Sequence, residues 1–330
     1  MACRMELPET EECMRWRLGS VPCESGFRMD GWFVWCGSPI KVDDTYHLFA
    51  SRWPESTGFP DGYRDYSEIV RATSPDRLGP YTFREVVVDR RGGDWWDGGM
   101  AHNPVVYRYG DGYALFHNAS RVGSHYRELG VLTADDIRGP WRRRDEPLKL
   151  GLDVDANNPA ALFEPDGAVL LLWRTRGLSA HISRAASVEG PYELLAENIW
   201  PDAQIEDFSF FKRDGVYHIL CEDNKGDVTG HWRFGARLVS DDGVGGWRLF
   251  EAEPIGYDHT INFGDGTVFT PVRRERPCLL IEDGAATALF TAVYDGTHTW
   301  NQPVPITPAW PGIGGFLVGE CGERTRGPDA

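Results

Sequence analysis

The chain shows no amphipathic 3.6-residue pattern sustained over three turns, so long helices and the fold classes built on them are not expected. No apolar run approaches the roughly 20 residues of a membrane-spanning helix. Met1 to Arg17 carries four acids and no apolar core, which is not the pattern of a secretory signal, and a reducing cytoplasm is the expected location. Positive charge is short: 34 Lys and Arg stand against 50 Asp and Glu, a net charge of −16. Nucleic acid and anionic membranes, which both select basic surfaces, are therefore not expected partners. The seven cysteines are odd in number and form no CxxC pair, so neither a zinc site nor a complete disulfide framework is indicated. What the chain has is 41% hydrophobic residues, with 13 Trp, 12 Tyr and 16 Phe over 330 positions, enough for a large core.

A short phrase occurs five times: a polar residue, a turn-type pair, an apolar run, a tight turn and a second apolar run. Its copies open at Ser38-Pro39-Ile40, Asn103-Pro104-Val105, Asn158-Pro159-Ala160, Glu206-Asp207-Phe208 and Glu275-Arg276-Pro277. The turns inside them are Asp43-Asp44, Gly110-Asp111-Gly112, Asp166-Gly167, Asp214-Gly215 and Asp283-Gly284, and Asp-Gly pairs supply the positive φ that tight hairpins need. Four copies continue to a second turn: Gly79-Pro80-Tyr81, Gly139-Pro140-Trp141, Gly190-Pro191-Tyr192 and the variant Gly245-Gly246-Trp247. A period of about 50–70 residues built from short strands indicates a ring of sheets. The expected fold is all-β, a five-bladed β-propeller with four-stranded antiparallel blades. It forms one domain over 1–330, with residues ~1–28 and ~318–330 as extensions. The fifth blade is expected to close with an N-terminal strand, and the tail from Cys321 to Ala330 to be mobile.

In a propeller the innermost strands run along the central axis, so the residues that open them converge on one funnel. Those residues are Ser38, Asn103, Asn158, Glu206 with Asp207, and Glu275 with Arg276. Nearby stretches add Arg52, Trp96-Asp97, His102, Glu222-Asp223 and Arg273-Arg274. Carboxylates gathered with Trp and Arg around one cavity suit cleavage of a glycosidic bond. One carboxyl group must be protonated to assist the leaving group and another ionised to act on water or the anomeric carbon. The candidate catalytic residues are Glu206, Asp97, Asp207 and Glu275. Ser38, Arg52, Trp96, His102, Asn103, Asn158, Asp223, Arg274 and Arg276 are candidates for substrate binding. Each has a plainer alternative: Asp97 a turn residue, Asp207 a backbone acceptor, His102 a structural or cation-binding histidine, Arg274 and Arg276 clamps on neighbouring carboxylates. Glu275 between two arginines is expected to stay ionised. No cofactor is expected, although a central divalent cation such as calcium is compatible with the funnel.

On these residues the chain resembles the five-bladed propeller glycosidases of glycoside hydrolase families 43, 32, 68 and 117. The likeness is carried by Ser38-Pro39-Ile40-Lys41, Trp96-Asp97-Gly98 with His102-Asn103-Pro104, Asn158-Pro159, Glu206-Asp207 with Tyr217-His218, and Glu275-Arg276-Pro277. It implies exo-acting hydrolysis of a small glycoside or oligosaccharide, with Glu206 as general acid and inversion favoured. Two positions depart from the pattern: Ser38 and Asn158 stand where family 43 carries aspartates. Asp97 is then the favoured base. A glycoside phosphorylase, using Arg273, Arg274 and Arg276 for phosphate, and a non-catalytic sugar-binding propeller are the alternatives.

Overall fold

The computed structural model describes residues 13–177 and 179–314, which leaves Cys3, Cys321 and the tail outside the described residues. Blade one is Trp32–Val42, Thr45–Pro54, Glu68–Ser74 and Thr82–Val88. Blade two is Met100–Tyr109, Gly112–Ser120, Arg127–Ala134 and Arg142–Arg143. Blade three is Asn157–Phe163, Val169–Arg174, Ala180–Ala185 and Glu193–Ala196. Blade four is Ile205–Arg213, Val216–Asp223, Gly235–Ser240 and Arg248–Leu249. Blade five is Arg273–Glu282, Ala285–Tyr294 and Thr299–Pro311, and the N-terminal segment takes its fourth position through the Leu18–Ile306 and Phe27–Asn301 bridges. All pairings within these blades are antiparallel, so the propeller expected from the repeat is the fold observed.

Side chains alternate across a strand, and in a propeller both faces of a blade are covered. Val106 packs with Phe49 and Ile69 of blade one, whereas its neighbour Tyr107 packs with Ala161 and Leu171 of blade three. Phe210 and Phe211 divide in the same way between blades three and five. Blades five and one meet through Val34, Leu48, Leu280 and Phe290. The inner strands therefore read as continuous apolar runs, each wedged between two neighbours.

Near its start each inner strand turns through one residue with positive φ: Cys36 (60°), Asn103 (55°), Asn158 (51°), Asp207 (58°) and Arg276 (62°). Pairing slips around all five, between Trp35 and Ser38, His102 and Val105, Asn157 and Ala160, Glu206 and Ser209, and Glu275 and Cys278. These bulges aim one side chain per blade at the axis. They also correct the register of blade one. Matching the phrases on proline equates Ser38 with Asn103, but the residue equivalent to Asn103 is Cys36, two positions earlier. The other blades follow that residue with Pro or Phe; blade one follows it with Gly37. A Cβ on Gly37 would stand 2.0 Å from Asn301 Nδ2, which donates a 2.6 Å hydrogen bond to the Cys36 carbonyl.

Candidate active site

The five bulge residues form a polar ring across the axis. Cys36 Sγ donates to Asn103 Oδ1 at 3.1 Å, Asn103 Nδ2 to Asn158 Oδ1 at 2.7 Å, and Asn158 Nδ2 to Asp207 Oδ1 at 2.5 Å. Arg276 pairs with the same Asp207 oxygen from the other side. The chain of donors thus ends on one carboxylate, held between an amide and a guanidinium. The ring separates two spaces. On the hairpin side lies a cavity of about 450 Å³, roofed by the ring and lined further down by Ser38, Ser209 and Cys278. On the side where the inner strands start lie the remaining charged groups.

Three carboxylates gather there, next to Asp207 of the ring. Glu206 and Glu275 immediately precede the ring residues, and Glu222 is the cross-strand partner of Glu206. Arg233, from the loop after the second strand of blade four, donates to Glu222 at 2.5 Å and to Glu275 at 2.7 Å from one nitrogen, Nη1. The same nitrogen lies 3.9 Å from Glu206 Oε1. Glu206 also receives Arg174, the residue opposite Asn157, and Asn224. Arg273 lies 3.6 Å from Glu275 and over the Phe59 ring. Asn118 donates to Asn157 at 2.7 Å, and His102 is held by Ser67 at 2.8 Å and stacked on Tyr63.

Environment divides the four acids. Burial by itself would raise Glu206, but Arg174, Arg276 and Arg233, with the Asn224 hydrogen bond, outweigh it and hold the carboxyl group below its usual range. Burial raises Glu275 against Arg233, and the Glu206 charge adds to the rise. Glu222 is pushed well up by burial and by the charges of Glu275, Glu206 and Asp207. Burial lifts Asp207 to about 7 in spite of Arg276. Only Glu206 and Glu275 keep side-chain contact with solvent, at 10% and 7%; Glu222 has none and Asp207 has 1%. The surface of this site therefore presents two carboxyl groups shifted in opposite directions, Glu206 downward and Glu275 upward.

The fold is that of known propeller glycoside hydrolases. A family 117 glycoside hydrolase from the marine bacterium Zobellia galactanivorans superposes with a TM-score of 0.63 at 13% identity, over 88% of this chain and 89% of its own. An α-L-arabinofuranosidase of Podospora anserina, in complex with cellotriose, gives 0.63 at 14% identity over 89% and 97%. A family 43 β-xylosidase/α-arabinofuranosidase from a compost metagenome, in complex with xylotriose and in calcium-free form, gives 0.60 at 15% over 88% and 94%. At these identities the likeness is one of fold. The chain matches no family model and no curated protein sequence.

The structure brings Glu206, Glu275, Asp207, Asn103, Asn158, Arg276 and His102 together around the axis. It places the six other candidates away from that cluster. Asp97 is fully buried, with one oxygen on Arg91 and the other on Arg143, each at 2.7 Å, so it is no base for a bound substrate. Trp96 packs on His117 and against Gly130 inside blade two. Arg52 pairs with Glu68 over the Trp32 and Phe83 rings. Arg274 is 1% exposed and donates to the Asp258 and Thr260 carbonyls and to Thr291. Asp223 points away from its neighbours Glu222 and Asn224, and its carboxylate accepts the amides of Gly226, Asp227, Val228 and Thr229. Ser38 lies below the ring and accepts the Val106 amide at 2.9 Å. Glu275, expected to be held ionised because arginines flank it in sequence, is instead raised: burial and the Glu206 charge outweigh Arg233, Arg273 and Arg276, and Arg274 faces the opposite side of the strand.

Carboxylate oxygens of Asp207, Glu222 and Glu275 lie within 4.8 Å of one another, a spacing that can hold a cation. Arg233 already bridges two of them, so the positive charge at their centre is a guanidinium. Glu222 then gives a stability prediction. A carboxyl group whose folded pKa is raised loses stability as pH climbs from its ordinary value through the raised one. Glu222→Gln is neutral throughout, so its melting temperature relative to the parent should climb between about pH 5 and pH 8. Each kcal/mol of relief corresponds to on the order of 2–4 °C. A difference that stays constant with pH would mean that Glu222 is ionised beside Arg233.

Proposed function

We propose that the protein is a glycoside hydrolase that removes single sugars from a small glycoside or oligosaccharide. The observation that carries this reading is the pair Glu206 and Glu275, both reached by solvent, both beside Arg233 Nη1, and shifted in opposite directions by their surroundings. Glycosidic cleavage needs such a pair. The slight exposure of both groups favours a closed pocket and hence exo action. The roles are the reverse of those implied by the family 43 resemblance: Glu275 is the acid and Glu206 the ionised partner.

In the first step Glu275 gives its proton to the glycosidic oxygen as the bond to the anomeric carbon breaks. A Glu206 oxygen forms an ester bond to that carbon. In the second step water adds to the carbon, its proton passes to Glu275, and the ester bond breaks to return the Glu206 carboxylate. Contact with one shared nitrogen, at 3.9 and 2.7 Å, favours the close pairing of about 5–5.5 Å used for retention over the about 6.5–9.5 Å used for inversion. A panel of aryl glycosides followed by proton NMR tests both statements. Release of a reducing sugar whose first-formed anomer matches the substrate is expected. First-formed inverted sugar would discard Glu206 as nucleophile. Ligand-induced stabilisation without product across the panel would leave a sugar-binding propeller.

A further inference from the structure

We propose that the substrate carries an anionic group, a carboxylate or a sulfate, and that Arg127 is its seat. The inference rests on the reading of this site as one that binds a glycoside and adds the substrate class to it. Arg127 begins the third strand of blade two, opposite Ser120, on the same face as the carboxylates. It continues a stack that rises from the ring. His102, next to the ring residue Asn103, lies against Tyr63 with ring centroids 4.7 Å apart. The Arg127 guanidinium lies 5.3 Å from the Tyr63 centroid and donates to its hydroxyl at 2.7 Å.

The arginines that flank the carboxylates, and the neighbouring Arg64, have acids. Arg174 pairs with Glu206, Arg233 with Glu222 and Glu275, Arg273 with Glu275, Arg276 with Asp207, and Arg64 with Asp61. Arg127 has no carboxylate within 4.0 Å among the described residues, although it is half-buried. The nearby acid, Asp155, is committed elsewhere: one oxygen accepts Asn157 Nδ2 at 3.0 Å and the other the Arg127 backbone amide at 2.8 Å. Burial weakens the hold of Arg127 on its proton, and the neighbouring Arg174 and Arg64 charges add to this, against Tyr63 and Asp155. A half-buried cation beside two others, with no carboxylate in contact, is costly unless a ligand supplies the charge. A guanidinium fork matches the paired oxygens of a carboxylate or sulfate.

The test uses the full chain with glucuronate, galacturonate and galactose 6-sulfate against glucose and galactose, by calorimetry, together with the matching 4-nitrophenyl glycosides. At least one acidic sugar is expected to bind about tenfold or more tighter than its neutral parent, as a charge-assisted hydrogen bond would give. The uronate and sulfate arms tell which anion it is. Arg127→Gln should abolish the preference, leaving neutral-sugar affinity in place, and Arg127→Lys should restore part of it, which a loss of folding would not do. Equal affinities in the parent, or a preference that survives in Arg127→Gln, would overturn the proposal. The two readings fail separately. Equal turnover of neutral and acidic glycosides sinks the anion seat and leaves the hydrolase. Selective binding of acidic sugars without turnover leaves the seat and sinks the hydrolase.

Discussion

Glu206→Gln and Glu275→Gln are each expected to lower turnover by about 10²–10⁴-fold, the range for a lost acid–base group, with different dependence on the leaving group. If Glu275 supplies the proton, its variant should fail most on alkyl glycosides and least on aryl glycosides with an acidic phenol, which depart without protonation. Glu206→Gln should be slow on both. The pH profile carries the same division. The rate requires Glu206 ionised and Glu275 protonated. Glu206, held low by its arginines, sets the acid limb, and Glu275, raised by burial, sets the basic limb. Replacing Glu275 should erase the basic limb and leave the acid one. If the leaving-group dependence appears in Glu206→Gln instead, the roles are those implied by the family 43 resemblance.

Arg276→Met is expected to give the largest loss of stability. It removes the guanidinium that holds Asp207 inside the ring, and an unpaired buried carboxylate costs about 3–5 kcal/mol. The loss should depend on pH. Burial, with the charges of Glu206 and Glu275, already lifts Asp207 to about 7 in the presence of Arg276. Without Arg276 it rises further, and the folded state then holds a proton that the unfolded state releases. Stability falls as pH climbs from the ordinary aspartate value through the raised one. Urea unfolding near pH 5.5 and pH 8.5 should therefore show a small deficit at the first and the full one at the second. An equal deficit at both would mean that Asp207 does not take up the proton.

Four of the five ring positions were legible in the sequence because each phrase begins where an inner strand bulges. The exception has a local cause. In blade one the close approach of Asn301 leaves room for glycine only, so the proline that marks three other blades is absent and Pro39, two residues later, takes its place by eye. Cys36, which completes the ring, therefore stood outside the phrase. Arg174 and Arg233 carry no signal in the sequence because they come from a second strand and a loop. Their closeness to Glu206 is a matter of cross-strand pairing, such as Asn157 with Arg174, not of sequence spacing. Asp97 shows the reverse error. A Trp-Trp-Asp stretch beside His102 reads as a site, yet two arginines, one from the short outermost strand of blade two, take both of its oxygens.

The sequence by itself determined the ring of sheets, its number of blades and the polar character of its axis. These follow from turn residues and strand patterns that act over a few positions. Only the tertiary structure decided which carboxyl group is pushed up and which is held down. Arg274 and Arg276 flank Glu275 on the chain, but strand alternation turns Arg274 to the Asp258 and Thr260 carbonyls, and Arg276 pairs with Asp207. Glu206 has no arginine beside it in sequence and gains Arg174 from blade three. Protonation depends on charges and burial within a few ångströms, and in a propeller those neighbours come from different blades.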